Sequence, residues 1–497
     1  MRSINAIFGY IVQVSLLLSL SMYHSISAAD ELTLFSRAEL SQQSMLTAAS
    51  HTSDGSDRAR NGKPMFQGPL GASAISYNGY QYVIYYSARD RGGFGDFFAE
   101  VIIARRKEGS DKWQHSTLPV YRVTSHDAHN RASIAISRGD GAIHISFDHH
   151  NTDRVNYART IKGVADNPEA VVWDDKVFAF ERNMGLGKDA VGRVTYPTFH
   201  DLPTGNLLMY FRSGGSTRGE MTLARYDANR SEWDFVRKIS SRDGRFVKTV
   251  TDNTESTSRG PYILGGPKVD ANGRMHISWL FRERPVNCNP GGSNDGRDCN
   301  QGLYYAYSDD EGITWHRSSG ELVVDTSKGE KLSVETQGLQ VIDIPTPLMP
   351  SNVSLNSVID AKTGIYHAFI EHKPSPSENS ILHRYQREKD GSWHTQDFGF
   401  SASNVSVRTI GDRMFAMTGR QQAKIYYSRR ENDFTDWQEI PLSKLATEPH
   451  TIESGYITWD LSLIASGKLS LIWHRQPEND EYGQSSPIYV YDFKIGE

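Results

Sequence analysis

One unit recurs along this chain and constrains its fold more than any other feature. It consists of a glycine turn, an apolar-rich strand, a polar or charged residue and a second strand, often closed by a tryptophan. The first strands read "GYQYVIYYSARD" from Gly79, "GAIHISFDHH" from Gly141, "GNLLMYFRSG" from Gly205, "GRMHISWLFRE" from Gly273, "GIYHAFIEHK" from Gly364, "GDRMFAMTGR" from Gly411 and "GKLSLIWHRQ" from Gly467, which makes seven units. Partner strands such as "NYART", "LARYD", "YYAYSDD", "HRYQRE" and "IYYSRR" follow them. Trp113, Trp173, Trp233, Trp315, Trp393 and Trp437 close six of the units, and "IYVYDF" takes that place in the seventh. Glycine turns between β-rich runs are hairpin signals. Their repetition at about 45 to 90 residues, with several strands per unit, predicts an all-β, seven-bladed β-propeller. A lone blade cannot bury both of its faces, so the blades must stack around a channel, and the unequal spacing places long loops between strands. Two packed β-sandwich domains are the competing architecture.

A chain of 497 residues suggests three domains by length alone, but all-β folds exceed that prior, and long helical periodicities are hard to find. The first 29 residues carry Arg2, an apolar run from Ala6 to Tyr23, and "SISAAD", with Ser27 and Ala29 suited to cleavage before Asp30. That is the grammar of a secretory signal peptide; an uncleaved anchor is the alternative. The expectation is one propeller over residues 30–497 in a monomeric, secreted or periplasmic protein, without membrane attachment after cleavage and without an organic cofactor. The net charge of −5 supplies no global basic field for nucleic acid or another polyanion. An anionic ligand must be held by local Arg, Lys and His.

"SDDEGITW", from Ser308 to Trp315, matches the Asp-box pattern of sialidase-like propellers. Its Asp fixes a tight turn through side-chain-to-backbone bonds and its Trp packs in the blade, so the motif speaks for fold and not for chemistry.

The histidines separate into two groups. His144, His276 and His367 each stand three residues after their unit's glycine, a recurrence that points to packing within the blade. His149, Arg212, Arg282, His372, Arg420 and His474/Arg475 come seven to nine residues after it, at strand ends directed to one rim or the central channel. Charges gathered there are costly to bury without partners, and they suit an anion-binding floor. "SHDAHN" places His126 and His129 on a loop feeding that rim, and "RVTYPTF" puts Tyr196 in an equivalent part of the next unit. A metal site on His126, His129, His149 and His150 lacks ligand spacing on any regular element, which favours proton transfer. The two cysteines, Cys288 and Cys299, bound a Gly/Asn/Asp-rich loop. They fit a disulfide in an exported protein, or a zinc set completed by the flanking His276 and His316; spacing alone leaves both open.

At "HDAHNRASIAIS", "GDGAIHISFDHH", "TYPTF", "LLMYFRSGGSTRGE" and "YYAYSDDEGITWH" the chain resembles the β-propeller ulvan lyases, polysaccharide lyases that cut a sulfated algal polysaccharide. The resemblance implies β-elimination between 3-sulfated rhamnose and a glucuronic or iduronic acid. It implies His129, Tyr196 and Arg212 as catalytic residues, with Asn130 and His149 contacting substrate or orienting the site. It also favours a structural zinc on His276, Cys288, Cys299 and His316. The competing functions are a sialidase-like hydrolase, which would muster Arg212, Arg282 and Arg420 around a carboxylate, and a non-catalytic sugar-binding propeller.

Overall fold

The computed structural model describes residues 32–47, 63–64, 72–89, 98–123, 131–187, 191–215, 218–246, 256–262, 266–284, 299–351, 355–401, 405–418, 424–442, 452, 455–475 and 485–496. The proposed signal peptide, His126, His129, Asn130, Cys288 and Arg420 lie outside them.

The repeat units fold as antiparallel sheets, each glycine turn opening a strand paired on both sides. In the third unit, Leu207–Ser213 lies between Val194–Asp201 and Glu220–Asp227, and Glu232–Lys238 follows outside. The inner strands of successive units adjoin one another. Ala74–Tyr77 neighbours both Ser133–Ile136 and Gly455–Asp460, and Val194–Asp201 neighbours Ser133–Ile136 and Lys268–Val269. This is the radial stacking of a propeller.

Seven units were expected, but among the described residues the ladders form six sheets, of nine, four, five, eight, four and four strands. The difference arises at the join between chain ends. The N-terminal strand Leu32–Thr47 pairs with the C-terminal strand Ser485–Ile495 from Leu32↔Ile495 to Met45↔Ser485, serving as the outer strand of the last unit. A single further pair, Ser44↔Ser87, ties it to Tyr80–Arg89 of the first unit, so the first and last units share the nine-stranded sheet.

Apolar clusters fill the spaces between sheets, and the six unit-closing tryptophans each pack in a different one. Trp459 and Trp473 occupy the cluster of the closing unit. In the Asp box, Asp310 accepts from the amides of Ile313 (3.1 Å) and Thr314 (2.8 Å) and from the hydroxyls of Thr314 (2.7 Å) and Ser308 (2.8 Å). Burial pushes its pKa up, but these donors outweigh burial and hold it below the usual value. Trp315 is fully buried and donates to the Gly312 carbonyl at 3.1 Å.

The recurrent histidines are packing groups. His144 Nδ1 meets the Tyr157 hydroxyl at 2.6 Å and His276 Nδ1 meets that of Tyr305 at 2.6 Å, each tying the second strand of a unit to the third. His367 is buried in the equivalent place. Burial holds His144 and His367 neutral, with pKa values lowered to about 3. His149 and His372 are lowered to about 4 for the same reason.

These values set the acid response. The unfolded imidazoles take up protons below about pH 6.5, whereas the folded ones do so only near pH 3 to 4. The unfolded state therefore gains protons first, and stability is lost as pH falls from about 6.5 toward 4, by up to about 1.4 kcal/mol per pH unit for each such histidine. Denaturant unfolding at about pH 7.5 and 5.5 should show a fall of several kcal/mol, about half a pH unit or more before the carboxylates begin to titrate. Equal stability at the two values would contradict neutral burial.

Candidate active site

The site begins with a fault in a ladder. Val194–Asp201 runs against Leu207–Ser213 with Thr195 opposite Arg212 and Thr198 opposite Tyr210, so one extra residue is accommodated around Tyr196 and Pro197. Pro197 has no amide hydrogen for the ladder, and its carbonyl accepts instead from Ser133 Oγ at 2.7 Å. Tyr196 adopts φ +53°, a left-handed conformation costly for a bulky residue. The bulge thereby re-aims the phenol away from the strand's alternation.

Arg212 is paired on both sides, with Thr195 at the edge of the bulge and with Met221 in an unbroken ladder. Its side chain is 3% exposed, and Nε donates to the Gly214 carbonyl at 3.3 Å. The guanidinium carbon lies 5.4 Å from the Tyr196 ring centroid and 5.0 Å from that of Tyr262. Arg282 lies over the same Tyr262 ring at 4.1 Å. Gly219 makes room for this arrangement: a Cβ there would stand 2.5 Å from Arg212 Cδ. One guanidinium nitrogen, Nη1 of Arg212, is buried without a hydrogen-bond acceptor among the described residues. A buried cationic donor left in that state is costly, and an incoming carboxylate would satisfy it.

His150 completes the described cluster. The strand His150–Thr152 adds to the edge of Val194–Asp201 with His150 opposite Thr195, and its ring stacks on Tyr196 at 6.2 Å and 23°. Asp148 and Asn151, at φ +59° and +61°, bracket the two histidines and break the alternation. His149 consequently turns inward. It is fully buried, with Nδ1 2.7 Å from Thr152 Oγ1 and Nε2 receiving the Asn156 amide at 3.1 Å. Both of its ring nitrogens are engaged by the protein, so it supports the strand end; His150 is the histidine beside Tyr196.

The structure therefore joins Tyr196 and Arg212, as expected, with His150, Tyr262 and Arg282. His129 and Asn130 lie outside the described residues. His372 belongs elsewhere: it stacks on His383 at 3.6 Å, and its nitrogens meet the Lys373 carbonyl and the Tyr385 hydroxyl.

Of the residues named for zinc, the described ones, His276, Cys299 and His316, do not converge on one ion. His276 pairs with Tyr307, and Tyr307 pairs on its other side with His316, so two strand spacings of about 4.8 Å each separate the histidine backbones. The Tyr307 ring stacks on His316 at 5.2 Å. Cys299 precedes the opposite end of the strand Asn300–Ser308, about 26 Å from Tyr307 along an extended chain, and its sulfur is disulfide-bonded. Zinc ligands must all lie about 2.0–2.3 Å from the metal. Among the described residues no group of three or more His, Cys, Asp or Glu could hold a metal. A chelator should leave the unfolding temperature unchanged. A thiol reductant should lower it, since opening a short disulfide loop costs up to about 3 kcal/mol. The reverse pattern would restore the metal.

Sheets stacked radially around a centre define the chain as an all-β propeller, within which two guanidiniums, two phenols and an imidazole lie together. The chain belongs to the BNR repeat-containing family, whose pattern matches residues 80–400. It is 28% identical over 228 residues to the long-isoform ulvan lyase of Pseudoalteromonas sp. (strain PLSV), covering 39% of this chain and 21% of that protein. It is 25% identical over 230 residues to the short-isoform ulvan lyase of Alteromonas sp. (strain LOR), covering 39% and 40%. The matched stretch thus spans about a fifth to two fifths of those relatives. The fold is similar to that of polysaccharide lyase Uly1 (TM-score 0.68, 16% identity, 94% of this chain and 100% of that one). It is also similar to a PL25 ulvan lyase solved with -[GlcA(1-4)Rha3S]- (TM-score 0.59, 13% identity, 92% and 96%).

Proposed function

We propose that this protein is a secreted polysaccharide lyase that cleaves ulvan by β-elimination between 3-sulfated rhamnose and glucuronic or iduronic acid. The observation that carries this reading is the buried Arg212 guanidinium, with Nη1 lacking an acceptor among the described residues, set against the rings of Tyr196 and Tyr262.

The reaction removes the proton on C5 of the uronate, α to its carboxylate, and expels the sugar oxygen at C4. The proton is weakly acidic until the carboxylate charge is neutralised, because charge builds on that group as an enolate-like transition state forms. Arg212 supplies the neutralising fork, in a site dry enough for the interaction to be strong. Tyr196 and His129 share the proton work, one removing the C5 proton and the other protonating O4. Arg282 holds Tyr262 against Arg212, and His150 supports the Tyr196 ring. Ulvan lyase relatives and propeller lyase folds support the same reading.

Incubation with ulvan should produce a rise in near-ultraviolet absorbance from the new C=C bond at uronyl ends, with other uronate-containing polysaccharides as controls. Shorter products without that absorbance would mean a hydrolase. Binding of ulvan with no products would mean a sugar-binding propeller.

A further inference from the structure

A second cationic feature adjoins the site. Arg218 lies close to this site in sequence, and its amide donates to the Gly215 carbonyl at 3.1 Å. The strand Ser256–Tyr262, whose last residue lies against Arg212, carries Arg259 and Ser258. These two segments meet at glycines: a Cβ on Gly260 would stand 2.3 Å from the Gly219 carbonyl oxygen. Alongside them Arg242, Asp243 and Arg245 close a cleft of about 600 Å³, with Glu335 on its wall. Four guanidiniums therefore face two carboxylates. Glu335 is already used in part, accepting the Arg245 amide at 2.9 Å. The Arg218 and Arg242 guanidiniums are exposed and form no hydrogen bond or ion pair among the described residues. Ser258 and Thr257 add hydroxyls to the lining.

We propose that this cleft binds the sulfate ester of a sugar on the same chain whose uronate is held at Arg212; the substrate half of this statement rests on the lyase reading above. A sulfate ester stays ionised across the pH range in which the protein folds, and it offers oxygens in geometry that guanidinium forks match. From Tyr262 to Ser258 is about 13 Å of strand, so the cleft lies within reach of a chain running away from Arg212. The overall charge of −5 gives no general attraction for a polyanion, which leaves a local cluster as the means of drawing one in. Because the arginines are exposed, salt should screen their contribution strongly.

The test compares wild-type protein, the double variant Arg218→Ala/Arg242→Ala, and a charge-matched control, Lys112→Ala/Lys162→Ala. Each is measured for KM on native and chemically desulfated ulvan, and for retardation in gels containing dextran sulfate or plain dextran. The expected result is a KM for native ulvan raised about tenfold in the Arg218/Arg242 variant, little change on desulfated ulvan, and lost retardation by dextran sulfate, with the control resembling wild type. Unchanged KM together with unchanged retardation would overturn the proposal. If wild-type protein leaves ulvan uncut but is retarded by dextran sulfate through Arg218 and Arg242, the sulfate site stands and the lyase reading fails.

Discussion

Arg212→Ala should lower kcat on ulvan by at least about 10³-fold while leaving a folded propeller. Removing a single preorganised donor from a developing oxyanion costs about 10²–10³, and this substitution removes a full charge as well as the fork. Because the interaction grows as charge moves onto the uronate carboxylate, kcat and kcat/KM should fall together, with a smaller change in KM. The fold should survive, since Arg212's backbone is held by pairing with Thr195 and Met221, and the side chain's Nε bond to the Gly214 carbonyl is a long one. Arg212→Lys should recover little, because an ammonium keeps the charge without the planar fork. Steady-state kinetics with a thermal melt on each variant decide the matter. Near-normal turnover in Arg212→Ala would remove the guanidinium from the mechanism.

Tyr196→Phe should cost about 10²–10⁴ in kcat, the usual contribution of a positioned proton-transfer group. The substitution deletes one oxygen and keeps the ring that stacks on His150 and lies under Arg212. The backbone strain at φ +53° is the same for both residues, so stability should change by less than about 1 kcal/mol. A loss of activity without a loss of stability would therefore belong to the hydroxyl. A rate close to wild type would assign both proton transfers to His129 or water.

The repeat was legible because glycine turns and alternating strands are local signals, and the tryptophans that close six of the units each pack in a different cluster. The fused sheet was not, because Leu32–Thr47 lacks the glycine turn and finds its partner at the far end of the chain. Packing of His144 and His276 followed from their common position in the repeat. Counting along the strand failed at His149, where Asp148 and Asn151 enter left-handed backbone and turn His149 inward, leaving His150 beside Tyr196. Tyr262 was missed because no repeat position marks it; its role comes from the approach of Arg212 and Arg282 to one ring. The described zinc candidates separate for a similar reason: Cys299 adjoins one end of the strand Asn300–Ser308, whereas His276 and His316 pair with Tyr307 near its other end.

A guanidinium and a phenol from one bulged strand pair should converge on a single uronate, which a crystal structure of the Tyr196→Phe variant with an ulvan tetrasaccharide would show. The uronate carboxylate should lie within hydrogen-bond distance of Arg212 Nη1, with C5 facing the ring at position 196. A sugar bound with its carboxylate turned away from Arg212 would contradict it.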